Sequence, residues 1–393
     1  MINFLKRTWC EINLNAINNN YNEIKKIINK DTKIMSIVKA DAYGHGVKYI
    51  SKELDKLGTD WFGVSNLEEA LQLRDTGIKK PVLILGYTPP EHVASIVYND
   101  FTQTVFSEEY ALALSEEASN LNLSVKVHIK IDTGMSRLGF VYQDEEKDKQ
   151  NFEDIKNTCN IKNFIIDGIF THFSCADIPD DNFTEIQFNR FMNLAKKLED
   201  SGIKFNLKHC CNSAAILRNK NMNLDMVRAG LILYGLYPAE SLSNICSLKP
   251  VMEMKSIISM IKELDKDAKL SYGATYETKE KTRIATVPIG YADGYPRIMS
   301  NKAEVLVCKK KVKVRGRVCM DQMLIDVTDI KQAKVNDIVT IFGMDGDNII
   351  PVEKISELAG TINYETVCLI GKRVPRIYLK DKNIIDASNY FER

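Results

Sequence analysis

The sequence predicts an α/β fold, an N-terminal (β/α)8 TIM-like barrel followed by a C-terminal, mainly β domain. Three observations predict it. Eight short apolar runs alternate with amphipathic stretches between residues 33 and 235. These runs are rich in Val and Ile, as strands buried on both faces are. After Ser243 the alternation gives way to strands that follow one another. The expected domains are 1–243 and 244–393, with about the first ten residues candidates to pair with the β domain instead.

The eight barrel runs are Lys33–Lys39, Trp61–Ser65, Pro81–Gly86, Thr102–Phe106, Val125–Asp132, Ile166–Phe173, Leu207–Ser213 and Met226–Tyr234. The segments between them read as helices. Leu67–Arg74 is one, with Asn66 placed to cap its start and Gly77 just past its end. An open doubly wound sheet would place G-x-G-x-x-G after its first strand. Here the first run ends in Lys39-Ala-Asp-Ala-Tyr-Gly-His-Gly46, which lacks it. The later strand-like runs are Val251–Met260, Thr282–Ile289, Ala303–Val307, Val312–Val318, Met323–Val327 and Asp337–Phe342. One helix follows, Val352–Ala359, stopped by Gly360. The basic run 309–317 reads as a strand, with Val312, Val314 and Val318 interleaving solvent-facing Lys313, Arg315 and Arg317. A phosphate or nucleic-acid patch is the lesser alternative there.

Composition narrows the function classes. With 53 basic and 52 acidic residues the net charge is +1, so no global attraction to nucleic acid or anionic membrane is expected. No run reaches the ~18 apolar residues a membrane helix needs. The first residues show no signal-peptide pattern. Nine cysteines without a C-x-x-C pair indicate neither a disulfide framework nor a structural zinc site, and no metal is expected. A reducing cytoplasm fits best.

Several residues could do chemistry. Lys39 closes an apolar strand, where barrels expose their catalytic face. Read alone, it either reacts with an aldehyde cofactor or simply reaches water. Tyr43, Gly44 and Gly46 form a turn that could offer a hydroxyl and amides to a phosphate. Asn212-Ser213 and Arg228-Ala229-Gly230 lie at the seventh and eighth strands, where such barrels often bind phosphate; a plain turn is the alternative. Arg137, in a glycine-rich loop, suits either a carboxylate or a surface ion pair. His172, among aromatics, reads first as a satisfied core residue. Tyr272 and Tyr291 sit in glycine-bounded turns and do not by themselves read as catalytic.

Taken together, the motifs resemble the alanine racemase family, whose members depend on pyridoxal phosphate. The matching blocks are Arg7–Ile17, Val38–Gly46, Lys130–Gly139, Thr171–Phe173, Asn212–Ala215, Val227–Gly230, Ser271–Tyr276, Ile289–Gly294, Gly316–Asp321, Ile362–Glu365 and Arg373–Arg376. They run in order over essentially the whole chain.

The resemblance implies interconversion of L- and D-alanine by two bases, and D-alanine for peptidoglycan in a bacterial source. Lys39 would hold pyridoxal phosphate and serve as the base on one substrate face. Tyr272 would serve on the other, contributed in trans, with Met320, by the second subunit of a homodimer. Tyr43, Ser213, Gly230, Leu231 and Tyr364 would hold the phosphate, and Asn212 would be a neighbour of the cofactor. Arg228 would face the pyridine nitrogen, and His172 would link Tyr272 to Arg228. Arg137 and Met320 would lie near the substrate carboxylate, and Lys130 matches a lysine often carbamylated in the family, which steadies Arg137. Tyr291, Arg297, Arg317, Asp321 and Ile362 would line the access passage or support the site. Cys210-Cys211 depart from the usually small residues at that point.

A serine or broad-specificity racemase is the nearest rival, disfavoured by Tyr364 and the Met320-Asp321 pair. A decarboxylase of related fold would need its own glycine-rich phosphate loop. A single-barrel carrier of the cofactor would lack residues 246–393.

Overall fold

The computed structural model describes residues 4–389. It contains two compact units. One comprises Ile17–Ala42 and Val47–Lys249; the other comprises the segment up to Ala16, Tyr43–Gly46 and the chain from Pro250 on.

Strand β1 (Thr8–Asn13) belongs to the second unit. The first unit holds β2 (Lys33–Ile37), β3 (Trp61–Val64), β4 (Val82–Ile84), β5 (Phe101–Val105), β6 (Val125–Asp132), β7 (Phe140–Val141), β8 (Phe164–Phe170), β9 (Leu207–His209) and β10 (Met226–Ala229). Eight of these pair in parallel in the order β10-β2-β3-β4-β5-β6-β8-β9, and β7 adds to β6. Two backbone bonds bridge the remaining seam. Asp225 N–H donates to Lys208 O (3.1 Å) and Arg228 N–H to Cys211 O (3.0 Å), which leaves a nearly closed barrel. Every residue of β3, β4 and β5 is buried, as expected for a parallel sheet covered on both faces.

The helix expected after β3 spans Leu67–Asp75. The Asn66 side chain accepts from Glu69 N–H (3.0 Å), which satisfies one of the free amides of the first turn. Several apolar runs stop being strand sooner than their hydrophobicity suggests. Leu207–Ser213 is strand only to His209, and Ser213 opens the helix Ser213–Arg218. Met226–Tyr234 is strand to Ala229, then a tight 3-10 turn over Leu231–Tyr234. Apolar continuity reports burial, and these tails are buried while they turn. Between β6 and β8 the register slips: Val127 faces Ile166 but His128 faces Gly168, so Asp167 is the extra residue of a β-bulge.

The second unit continues with β11 (Met252–Ile257), β12 (Met260–Leu264), β13 (Lys269–Leu270), β14 (Tyr276–Glu277), β15 (Thr282–Val287), β16 (Glu304–Val307), β17 (Lys310–Arg315), β18 (Met323–Asp326), β19 (Ile338–Asp345), β20 (Asn348–Ile350), β21 (Arg376–Lys380) and β22 (Asn383–Ser388). They form one sheet in the order β12-β15-β18-β17-β16-β19-β11-β1-β21-β22, with β20 on β19 and a separate β13-β14 pair. β1 lies between β11, antiparallel, and β21, parallel. The run Val251–Met260 is thus two strands, because the chain breaks its ladder at Ile258-Ser259. In β17, Val312 and Val314 are buried and Lys311 and Lys313 exposed, the alternation of a half-solvated strand. The helix Val352–Ala359 ends at Gly360, whose φ of 72° closes its C-terminus.

Candidate active site

β2 hands over to an unusual turn at half-buried Lys39. Ala40, Asp41, Ala42 and Tyr43 all take left-handed φ values between 53° and 55°. That conformation costs an L-residue about 1–2 kcal/mol each. Backbone hydrogen bonds hold it. Ala42 N–H donates to Val38 O (2.9 Å), Ala40 N–H to Glu69 Oε1 (2.7 Å) and Val47 N–H to Asp41 Oδ1 (2.7 Å). Glu69 Oε2 also accepts from Ser65 N–H (2.7 Å), tying this turn to the end of β3.

The strand ends carry a cluster of positive charge. Arg228 on β10 is buried. Its NH1 donates to His209 Nδ1 (2.9 Å), and its NH2 to Thr171 O (2.8 Å), Cys210 O (3.0 Å) and His172 Nδ1 (3.2 Å). Burial lowers its pKa to about 10, which leaves it protonated at neutral pH. Lys130 on β6 is buried over the Phe170 ring, 4.7 Å from its centroid, and its Nζ has no hydrogen-bond partner among the described residues. Burial first, then Arg228 and Arg137, push its pKa far below the usual lysine range. His172 is likewise driven far down by burial, then by Arg228, Lys130, Arg137 and Lys39. Its Nδ1 faces a guanidinium, which only donates, so a neutral His172 carries its proton on Nε2.

Neighbouring loops complete this end of the barrel. Asp132 Oδ1 accepts from Gly134 and Ser136 N–H (2.9 Å each), shaping the loop that presents exposed Arg137. Ser213 Oγ accepts from Gly230 N–H (3.1 Å), so hydroxyl and amide converge just before buried Leu231. Asn212 caps its helix through Ala215 N–H (3.0 Å) and donates to Phe173 O (3.4 Å).

The second unit gathers its own set. Tyr43 is buried with its ring 6.4 Å from that of Tyr364. The following turn is tight: at Gly44, with φ +77°, a Cβ would stand 2.5 Å from Val367 O, and Gly44 O accepts from Arg376 Nε (3.0 Å). Tyr272 is 72% exposed on a turn in which Ser271 Oγ donates to Arg317 O (2.7 Å). Met320 is 53% exposed, and its loop is paired to that of Tyr291. Tyr291 N–H donates to Cys319 O (3.1 Å) and Ala292 N–H to Met320 O (3.0 Å). A Cβ at Gly290 would lie 2.2–2.4 Å from the backbone of Cys319 and Met320, so only glycine permits the approach. Arg297 and Arg317 line one cavity with Thr275, Ile298, Ser300, Asn301 and Lys302. Ile362 is 61% exposed.

Sequence reasoning missed the supports of both sets. Asp293 is fully buried and accepts from Arg7 NH2 (2.5 Å), Arg373 Nε (2.8 Å) and Gly290 N–H (3.0 Å). Burial raises its pKa, but these bonds outweigh burial and hold it below the usual carboxylate range. Arg373 NH2 also donates to Asp321 (2.7 Å), which fixes the loop beyond Met320. In the barrel, His209 and His128 were passed over. A signal existed: Lys126, His128, Lys130 and Asp132 alternate along β6, too polar for an ordinary buried strand.

Comparisons with known proteins match both parts of the chain to one family. Residues 12–238 match the family profile for the N-terminal domain of alanine racemase, and residues 251–378 the profile for its C-terminal domain. An alanine racemase of Methanococcus maripaludis is 45% identical over 372 residues, 94% of this chain and 98% of that protein. One from Desulfovibrio desulfuricans is 44% identical over 380 residues, 97% and 100% of the two chains. Among solved structures, an alanine racemase of Clostridium difficile superposes with a TM-score of 0.93 at 39% identity, covering 99% and 100%. The Bacillus anthracis alanine racemase with bound L-Ala-P gives 0.91 at 35%, covering 99% of each chain.

Proposed function

The chain belongs to the alanine racemase family, isomerases that interconvert L- and D-alanine, and from that premise we propose how its own residues perform the reaction. The observation that carries the reading is the charge at the barrel's strand ends. The positive charges of Arg228, Arg137 and Lys39 all bear on His172. Such a cluster suits two anions, a phosphate and a substrate carboxylate.

Pyridoxal phosphate fits these residues. A lysine amine at a strand end suits its aldehyde, the converging Ser213 hydroxyl and Gly230 amide suit its phosphate, and the Arg228 guanidinium suits its ring nitrogen. Tyr43, Tyr364 and Leu231 are assigned to the phosphate as well, and Asn212 holds the helix that starts at Ser213. When bound, the cofactor supplies the electron sink that acidifies the α-proton of an amino acid.

Lys39 Nζ takes or returns that proton on one face, and Tyr272 Oη does so on the other. Two opposed bases exchange the configuration at Cα without turning the substrate over. Arg228 stays charged at neutral pH, so beside the cofactor's ring nitrogen it would disfavour protonation there and with it side reactions. Arg137 and Met320 receive the carboxylate. The exposure of Tyr272, Met320 and Ile362 supports a homodimer in which the partner's Tyr272 and Met320 complete each site. Arg297, Arg317, Tyr291 and Asp321 flank the approach.

Lys130 is assigned a carbamate. An amine held low in pKa is nucleophilic at neutral pH. Its Nζ lone pair adds to carbon dioxide, an N–C bond forms, one C=O pair becomes an oxyanion and a proton leaves to solvent. The resulting anion would pair with Arg137. No described helix is long and apolar enough to cross a membrane. We assign the enzyme to the cytoplasm, with D-alanine passing to peptidoglycan.

The test incubates the protein, loaded with pyridoxal phosphate, with L-alanine and separately with L-serine, and follows both enantiomers by chiral chromatography. Alanine reaching equal L and D much faster than serine supports the reading. Faster serine moves the substrate to the neighbouring branch, and no D-product from either overturns the assigned roles.

A further inference from the structure

Arg228 is buried with a charge, yet its hydrogen bonds go to two carbonyls and two imidazoles. One of those contacts continues through the barrel. Beyond Arg228 NH1 and His209 Nδ1 (2.9 Å), His209 Nε2 lies 3.0 Å from His128 Nδ1. His128 Nε2 then lies 3.7 Å from Asp167 Oδ2, an electrostatic contact rather than a hydrogen bond. Asp167 Oδ1 accepts from Asn206 Nδ2 (3.0 Å). Both imidazoles are fully buried.

The proton order along this row follows from donor chemistry. A guanidinium only donates, so His209 Nδ1 must be bare. The His209 proton then sits on Nε2 and is donated to His128 Nδ1. The His128 proton is left on Nε2, facing the carboxylate. A doubly protonated ring anywhere in the row would set N–H against N–H. Burial holds both imidazoles low, with Arg228 adding to it at His209 and Asp167 only partly opposing it at His128, so both are neutral at neutral pH.

The backbone is built to place the end of this row. Asp167 is the extra residue of the β6–β8 bulge, a device that re-aims a side chain. Gly168 follows it, and a Cβ there would stand 2.8 Å from His128 Cε1 and Nε2. Bulge and glycine together let the imidazole lie beside the strand with a carboxylate at its Nε2.

We propose that Asp167 is a positioning residue: its carboxylate at His128 Nε2 reinforces, through His128 and His209, the proton order that the guanidinium selects, and so keeps His209 Nδ1 bare toward Arg228. Without its charge, His128 can carry its proton on Nδ1. His209 must then accept at Nε2 and turn an N–H toward Arg228, which repels the guanidinium. The catalytic consequence rests on the function proposed above; the proton order does not.

The test labels the histidines of the cofactor-loaded, full-length protein with nitrogen-15 and reads their tautomers by NMR. The chain has only five histidines, which keeps the spectrum assignable. In the wild-type protein His128 and His209 are expected neutral with the proton on Nε2. In Asp167→Asn, whose amide can either accept or donate, both are expected as tautomer mixtures. The same variant should lower kcat for alanine by about 10-fold with KM within about 2-fold, and shift the absorption of the bound cofactor. A wild-type His209 that is protonated on Nδ1 or on both nitrogens overturns the proposal, and that measurement needs no variant to fold. Unchanged tautomers and unchanged kcat in Asp167→Asn overturn it too. Wild-type protein with the expected order but no racemisation of alanine supports the row and sinks the assigned function instead.

Discussion

At the barrel's strand ends Lys130, Arg228 and His209 are withdrawn from water and, with half-buried His172, set one another's charge, whereas on the β unit Tyr272 and Met320 stand 72% and 53% exposed on loops held by their backbones. The first region builds an environment. Its polar atoms are fixed by side-chain hydrogen bonds, and its pKa values are displaced by burial and like charge. The second region presents side chains. Ser271 Oγ on Arg317 O, and the amides of Tyr291 and Ala292 on Cys319 and Met320, lock the main chain and leave the side chains outside. Changes in the first region should therefore act through charge, and changes in the second through placement.

The largest test of that contrast is Lys39→Ala. Racemisation should fall by about 10⁴-fold or more, because in the proposed mechanism the amine would both anchor the cofactor and move the proton. Chiral chromatography reads it, and substantial residual activity would remove Lys39 from the mechanism. Tyr272→Phe should cost about 10³-fold in kcat with the cofactor still bound, since an exposed base can be deleted without disturbing the buried cluster. Release of cofactor by that variant would contradict the contrast.

Gly290→Ala strikes the backbone of the second region. Its Cβ would lie 2.2 Å from Cys319 O, so the paired loops must separate. The expected loss is about 3 kcal/mol of stability, seen as a lower midpoint in calorimetry, with the charge state of the barrel cluster unchanged. Removing dissolved carbon dioxide should reduce activity about 10-fold through Lys130, with recovery on adding bicarbonate and a carbamate signal from carbon-13 bicarbonate. Activity indifferent to carbon dioxide would count against the carbamate.

The last effect is on stability against pH. His128, His172 and His209 have folded pKa values below the unfolded value of about 6.5. Below that pH the unfolded chain binds more protons than the folded one, so stability is present above about pH 6.5 and is lost as pH falls. The slope is at most about 1.4 kcal/mol per pH unit for each histidine. Calorimetry between pH 7 and 5 checks it, and a midpoint that rises on acidification would refute the burial of neutral imidazoles.

Legibility differed between the regions for the same reason. The apolar runs of the barrel and the Asn66 cap could be read directly, because they depend on local pattern. The turn after β2 could not: in Ala40-Asp-Ala-Tyr43 only Asp41 tolerates left-handed backbone readily, and the conformation is held by Glu69, 29 residues away from Ala40 in the chain. Asp293 sat inside a recognised block, yet its partners Arg7 and Arg373 come from opposite ends of the sequence. β21 and β22 were not anticipated either, because their alternation is weak and β21 is completed by pairing with β1.

By itself the sequence determined the parallel barrel with its β companion, the family, and the identity of the chemically able side chains, because each depends on periodicity or on ordered blocks of residues. Only the tertiary structure decided that His172, Lys130 and Arg228 share one field, that Lys130 Nζ is left without a hydrogen-bond partner among the described residues, and that a bulge at Asp167 ends a row of imidazoles. Burial, long-range hydrogen bonds and register are properties of residues brought together from distant parts of the chain, and no local pattern encodes them.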